Sequence, residues 1–194
     1  MQPLTESILL EQARAGQEQA FAQLVEAHSE KMIGLARRLT GQHDVAEEVA
    51  QEAFLRLYRS LHSFRGDSSL GTWLYRTVTR LAIDHLRREK IKRRIFFLRS
   101  NDSEQVDPLE LAADPGASPL ELLQARETAQ RIQQVLQQLP ARQKAIFILR
   151  QQEGLQLKEI AELLGLELGT VKAHLHRAVS RFRQALGEEG KESP

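Results

Sequence analysis

The sequence predicts an all-α protein of two small helical domains joined by a flexible acidic linker. Three observations carry that expectation. No segment alternates apolar and polar residues with the period of two that a strand requires. Apolar residues recur instead at three-and-four spacing through most of the chain, the mark of helices with one buried face. One stretch, Ser100 to Ser118, has no helical period and holds Pro108, Pro115 and Gly116 among acids, so it reads as a linker. The expected domains are therefore 1–99 and 119–194, with 100–118 between them.

The elements follow in order. Thr5 to Ala15 reads as a first helix closed by Gly16. Glu18 to Leu39 reads as a second, with Phe21, Leu24, Val25, Met32, Ile33, Leu35 and Leu39 as its apolar set and Gly41 as its stop. Asp44, with Glu47 three residues on, predicts a capped start for a third helix that runs to about Leu61. Val45, Val49, Ala53, Leu57 and Leu61 mark its core side. Ser63 to Ser69 contains Gly66-Asp67-Ser68-Ser69 and reads as a loop. A basic helix follows to about residue 92, its seam formed by Leu70, Trp73, Leu74, Thr77, Val78, Leu81, Ala82, His85 and Leu86. Beyond the linker, Ser118-Pro119-Leu120-Glu121 starts a helix that runs to Leu139. Pro140 opens another, to about Gln152, which Gly154 breaks. A short helix from Leu157 to Leu164, a turn at Gly165 and a last helix from Leu168 to Leu186 complete the chain before a polar tail.

Composition excludes several classes. There is no cysteine, so disulfides and cysteine-based metal sites are out. No apolar run reaches membrane-spanning length, and Met1 to Glu11 carries acids but no base, unlike a secretory signal. A cytoplasmic location is expected. Net charge is only +1, but the charge is segregated. From Arg76 to Arg99 there are nine Lys or Arg against two acids. Residues 101–121 hold six acids and no base, and residues 170–186 four bases and no acid. Two basic blocks separated by an acidic one suggest two nucleic-acid surfaces.

Each charged helix admits two readings on its own. The basic helix with Trp73 and Tyr75 suits phosphates and unpaired bases, or it is a solvated face with Trp73 in the core. Leu157 to Leu186 has helix-turn-helix spacing, with Leu168, Val171, Leu175, Ala178, Val179, Phe182 and Leu186 as the buried seam. That seam leaves Thr170, Lys172, Ala173, His174, His176, Arg177, Ser180 and Arg181 outside, a set able to touch base edges and phosphates, or simply a basic bundle surface. His174 and His176, two apart on a helix, do not face each other as a metal pair would. Asp44, Glu47, Glu48, Gln51 and Glu52 crowd one half of the third helix. The helix dipole accounts for Asp44 and Glu47, while a protein docking face accounts for Gln51 and Glu52 as well.

Three features in order resemble one family. Asp44-Val45-Ala46-Glu47-Glu48-Val49-Ala50-Gln51-Glu52-Ala53-Phe54 is similar to a polymerase-clamp-binding segment. Phe64-Arg65-Gly66, Leu70-Gly71-Thr72-Trp73-Leu74-Tyr75-Arg76 and Asp84-His85-Leu86-Arg87-Arg88 are similar to a minus-10 reading segment. Leu139-Pro140, Glu159-Ile160-Ala161-Glu162-Leu163-Leu164-Gly165, Gly169-Thr170-Val171-Lys172 and His176-Arg177-Ala178 are similar to a minus-35 reading motif. From about residue 8 to 186 the chain resembles a bacterial extracytoplasmic-function (ECF) sigma factor, of the smallest class of RNA polymerase sigma subunits.

The resemblance implies a region 2 helical bundle and a region 4 helix-turn-helix. It implies polymerase binding by Asp44, Glu47, Glu48, Gln51 and Glu52. It implies minus-10 contact by Phe64, Arg65, Asp67, Trp73, Arg76, Arg80, Asp84 and Arg87, and minus-35 contact by Thr170, Lys172, Ala173, His174, His176, Arg177 and Arg181. Within the last set it gives Arg177 a base-edge or adjacent backbone contact and Lys172 a phosphate. The implied partners are core RNA polymerase, promoter DNA and an anti-sigma factor, with no cofactor, no metal, no catalytic site and no membrane insertion. Two other classes fit the sequence less well. A stand-alone helix-turn-helix regulator leaves Trp73, Arg76, Arg80 and the acidic face without a role, and a nucleic-acid-processing enzyme lacks a recognisable site. One departure stands out. The family often caps the first helix of the minus-35 motif with Ser or Thr, and here Gln156 or Leu157 predicts a weaker start.

Overall fold

The computed structural model describes residues 6–64, 68–96 and 119–187, all of them helix or the turns between helices. The chain divides between Glu89 and Lys90 into two compact units. The expected linker, 100–118, lies outside the described residues, as do Arg65 and Asp67.

The first unit is built from α1 (Glu6–Arg14), α2 (Glu18–Thr40), α3 (His43–Ser60), a 3-10 turn (Leu61–Ser63) and α4 (Leu70–Phe96) as far as Glu89. α2 packs against both α1 and α3. Leu24, Met32, Leu35 and Leu39 of α2 are fully buried together with Leu57 of α3 and Leu70, Leu74 and Val78 of α4. Each such side chain contributes about 1.5–3 kcal/mol on burial. The expected members Phe21, Val25 and Ile33 are only half-buried, and Ala20, Ala36 and Thr40 join the core instead. The small residues let α2 approach its neighbours closely. A hydrogen bond between His28 Nε2 and Glu6 Oε2, at 3.0 Å, ties α1 to α2.

One helix start and one helix end differ from expectation. α3 begins at His43, with extended Gln42 at the cap position and no side-chain cap bond. Asp44 stands inside the first turn, where its charge meets the positive end of the helix dipole without capping it. α4 extends to Phe96, beyond residue 92. Its buried seam is also broader than the simple stripe. Thr79 and Ile83 are buried, while Trp73, Thr77, His85 and Leu86 are half-buried.

The second unit comprises α5 (Pro119–Gln138), α6 (Ala141–Gln151), α7 (Leu157–Leu164) and α8 (Leu168–Gly187). α8 packs on the other three. Its Val171 and Ala178 are fully buried in a core that includes Ile146, Ile148 and Leu149 of α6 and Ile160 of α7. Phe182 stacks on Phe147, with centroids 4.4 Å apart and planes at 15°. The α7–α8 turn is set by Gly165 in the left-handed region (φ 64, ψ 46), whose N–H points to the carbonyls of Ala161 and Glu162. The Leu166 N–H bonds back to the Ala161 carbonyl at 2.9 Å. This closes α7 with a residue type that accepts positive φ without a Cβ clash.

Candidate nucleic-acid interface and acidic docking face

α3 separates its two chemistries cleanly. It buries Ala46, Val49, Ala50, Ala53, Phe54 and Leu57, and it exposes Asp44, Glu47, Glu48 and Gln51, with Glu52 half-buried at the edge. Positions 44, 48, 51, 55 and 58 follow three-and-four spacing, so they form one stripe. Leu55 and Tyr58, 49% and 53% exposed, therefore continue the stripe that Asp44, Glu48 and Gln51 begin. These two lie beyond the expected set Asp44, Glu47, Glu48, Gln51 and Glu52, and the same spacing continued for two more turns reaches them. Tyr58 meets Phe21 edge-on, with centroids 5.1 Å apart. Glu52 is engaged within the helix. Arg56 Nε donates to its Oε1 at 2.8 Å, and this bond, with the charges of Arg56 and Arg59, holds the carboxyl below its usual range. Glu47 Oε1 lies 3.7 Å from His43 Nδ1.

At the head of α4, Ser69 acts as the cap. Its Oγ accepts the Thr72 N–H at 3.1 Å and lies 2.9 Å from the Thr72 hydroxyl. This start brings together two expected site residues, Phe64 and Trp73, whose rings meet edge-on at 6.4 Å and 84°. Half-buried Trp73 thus has one edge packed and part of its surface open. Two residues on from Trp73, the ring of Tyr75 has Lys31 of α2 5.1 Å from its centroid. Arg76 is half-buried, and its Nε is enclosed with no hydrogen-bond partner among the described residues. Arg80, Asp84 and Arg87 are exposed. Asp84 pairs with Arg87 at 3.8 Å, and its carbonyl accepts from Arg88 Nε at 3.3 Å. At the rise of an α-helix, Arg87 stands about 20 Å along the axis from Trp73, so these residues line a track and do not form one pocket.

In the second unit α8 exposes Thr170, Lys172, Ala173, His176, Arg177 and Arg181. His174 differs, being half-buried with its Nδ1 enclosed and unpartnered among the described residues. Burial pushes its pKa down, and the charges of Arg177 and Arg142 push it further the same way. The ring is therefore held toward its neutral form. Arg181 donates to the carbonyl of Gln138, the last residue of α5, at 3.4 Å. α7 begins with a capping box. The Gln156 side chain accepts from the backbone of Glu159, and the Gln156 N–H donates to Glu159 Oε2 at 2.6 Å. Arg150 adds donations to the Leu155 carbonyl at 3.0 Å and to Gln156 Oε1 at 3.4 Å. The weak start expected of Gln156 is thus corrected, because a long amide reaches the same backbone donor that a hydroxyl would.

A short helix leading by a tight turn into an exposed basic helix, with a second basic helix headed by an aromatic pair, is the geometry of a protein that binds DNA at two places. The comparisons give that class its name. Residues 24–91 match the sigma-70 region 2 family and residues 129–182 the sigma-70 region 4 family. ECF sigma factor SigW of Bacillus subtilis is 32% identical over 179 residues, covering 91% of this chain and 94% of that protein. The sigma-H factor of Pseudomonas aeruginosa is 33% identical over 178 residues, covering 92% of each. Escherichia coli sigma-E is 32% identical over 182 residues, covering 90% and 91%. In fold, the chain is similar to the sigma factor RpoE of Bartonella quintana, solved with the anti-sigma factor NepR (TM-score 0.60, 22% identity, 86% and 96% covered). It is also similar to CnrH, solved with the cytosolic domain of CnrY (TM-score 0.58, 21% identity, 97% and 99% covered).

The chain belongs to the ECF family of RNA polymerase sigma factors. Members bind core RNA polymerase and direct promoter-specific initiation, with region 2 recognising the minus-10 element and region 4 the minus-35 element. Among the described residues no helix is long and apolar enough to cross a membrane.

Proposed function

We propose that this chain docks on core polymerase through the exposed stripe of α3, captures opened minus-10 DNA along α4, and reads the minus-35 element with α8. The observation that carries the reading is the α3 stripe itself. Asp44, Glu48 and Gln51 lead into exposed Leu55 and Tyr58, while the opposite side of the helix is core. Charge, amide and large apolar groups in one line fit a protein interface with apolar anchors and a polar rim. A stand-alone regulator would have no use for it. Phe64, Trp73, Arg76 and Arg80 follow as the strand-capturing group, with aromatic faces for bases and guanidinium groups for phosphates. Asp84 and Arg87 extend that track, and Arg65 and Asp67 enter it on sequence alone. Thr170, Lys172, Ala173, His176 and Arg177 are the groups that α8 offers to a major groove, with His174 and Arg181 at its margins.

The chain acts by binding, in the cytoplasm, and without a catalytic step of its own. Residues 100–118 serve as the tether between domains 1–99 and 119–194. A protein inhibitor of the anti-sigma kind is a further partner, by analogy with RpoE. The docking face is tested by Glu48→Lys combined with Gln51→Lys. Both side chains are exposed, so helical content stays normal while affinity for core polymerase falls. A double variant that binds core as tightly as the wild-type chain would remove α3 from the interface.

A further inference from the structure

Arg14 belongs to α1, which none of the three surfaces includes, yet its side chain reaches the segment that leads into α4. Its Nε donates to the Leu61 carbonyl at 3.1 Å, and a terminal nitrogen donates to the Phe64 carbonyl. The same guanidinium carbon lies 6.0 Å from the Phe64 ring centroid, and that ring is the one set edge-on against Trp73. The two carbonyls belong to the first residue of the 3-10 turn Leu61–Ser63 and to the residue that follows the turn, and the Leu61 carbonyl also accepts the Phe64 N–H at 3.4 Å. A planar fork with five N–H groups can serve two acceptors at once, which an ammonium on a flexible stem does poorly. The contacts span 47 and 50 residues of chain, so they join α1 to the turn as a tertiary brace.

We propose that Arg14 is a positioning residue for strand capture. By tying the Leu61 and Phe64 carbonyls to α1, it holds Phe64 against Trp73. It touches no DNA. Its action is to keep the aromatic pair in place before the strand arrives, so that less ordering remains to be done on binding. The inference rests on the reading of Phe64 and Trp73 as part of the minus-10 surface.

The test uses two variants of the full chain. Arg14→Met keeps the aliphatic stem and loses the donors, and Arg14→Lys keeps the charge and loses the fork. Each is assembled with core polymerase, beside Arg80→Ala as a marker of strand reading. The readouts are open-complex formation on a duplex promoter and affinity for a single strand carrying its minus-10 element. Both Arg14 variants are expected to lose about tenfold in each, with core affinity and helical content unchanged. In the free chain the emission of Trp73, its single tryptophan, shifts in both variants. Wild-type opening by Arg14→Lys would show that charge and not the fork acts, and would overturn the proposal. Variants that melt earlier yet open promoters and bind the strand normally would also overturn it, since that is the behaviour of a structural tie alone. If Arg80→Ala loses strand binding and the Arg14 variants do not, only this inference fails. If none of the three loses it, the strand-reading surface itself is misplaced.

Discussion

His174 shows how one neighbour changes what a residue on a recognition helix can do. Helical spacing places it outside the α8 seam, beside Lys172 and Ala173. In the folded unit it is half-buried, its Nδ1 is enclosed, and burial together with Arg177 and Arg142 lowers its pKa. Because the folded value lies below the unfolded one, the neutral ring is the form that folding favours. Its contribution to stability is fully present above the unfolded pKa of about 6.5 and is lost as pH falls through the folded value. Thermal unfolding of the chain should therefore show a loss of stability below about pH 6.5 that is smaller in His174→Gln. Equal pH slopes for the two proteins would mean that His174 does not carry it. The periodicity of α8 could not show this, because Arg142 approaches from α6, more than thirty residues away in sequence.

Helix ends were legible where a glycine made them. Gly16, Gly41, Gly154 and Gly165 were each read as a stop, and each adopts positive φ. Helix starts were less legible, because a cap depends on side-chain reach as well as residue type. Asp44 looked like a cap and is not one, while Gln156 looked like a poor cap and forms a complete box with Glu159. Gln156→Ala should thus cost about 1 kcal/mol of unfolding free energy in the second unit, the usual worth of an N-cap. Gln156→Ser should recover most of it, as measured by denaturant unfolding. No change in the alanine variant would show that Arg150 and the Glu159 carboxylate suffice. The α4 seam was legible in part. Leu70, Leu74, Val78, Leu81 and Ala82 are buried as the spacing required, but Thr79 and Ile83 are buried as well. A single-stripe reading assumes neighbours on one side only, and burial of Thr79 and Ile83 departs from that assumption.

For the molecule as a whole, two functional blocks could be read from segregated charge, whereas the braces within each block could not. Arg14 contacts carbonyls some fifty residues distant, and backbone acceptors carry no sequence signal. The composition of residues 100–118 predicts the first site of limited proteolysis, between about Asn101 and Ser118, leaving two folded fragments. First cuts within α4 or α8 would contradict the division into domains. Within the second unit, the hydrogen bond from Arg181 to the Gln138 carbonyl has a consequence of its own. It is long, at 3.4 Å, and its acceptor is neutral. A phosphate oxygen competes for the same guanidinium with a charge-assisted bond about twice as strong. DNA on α8 would then draw Arg181 off the end of α5, and tension on α5 would return the arginine to DNA only by uncapping that helix. One side chain would thereby make a grip on DNA at α8 and the winding of the neighbouring helix rival claimants, so that each would be felt by the other without a shared surface.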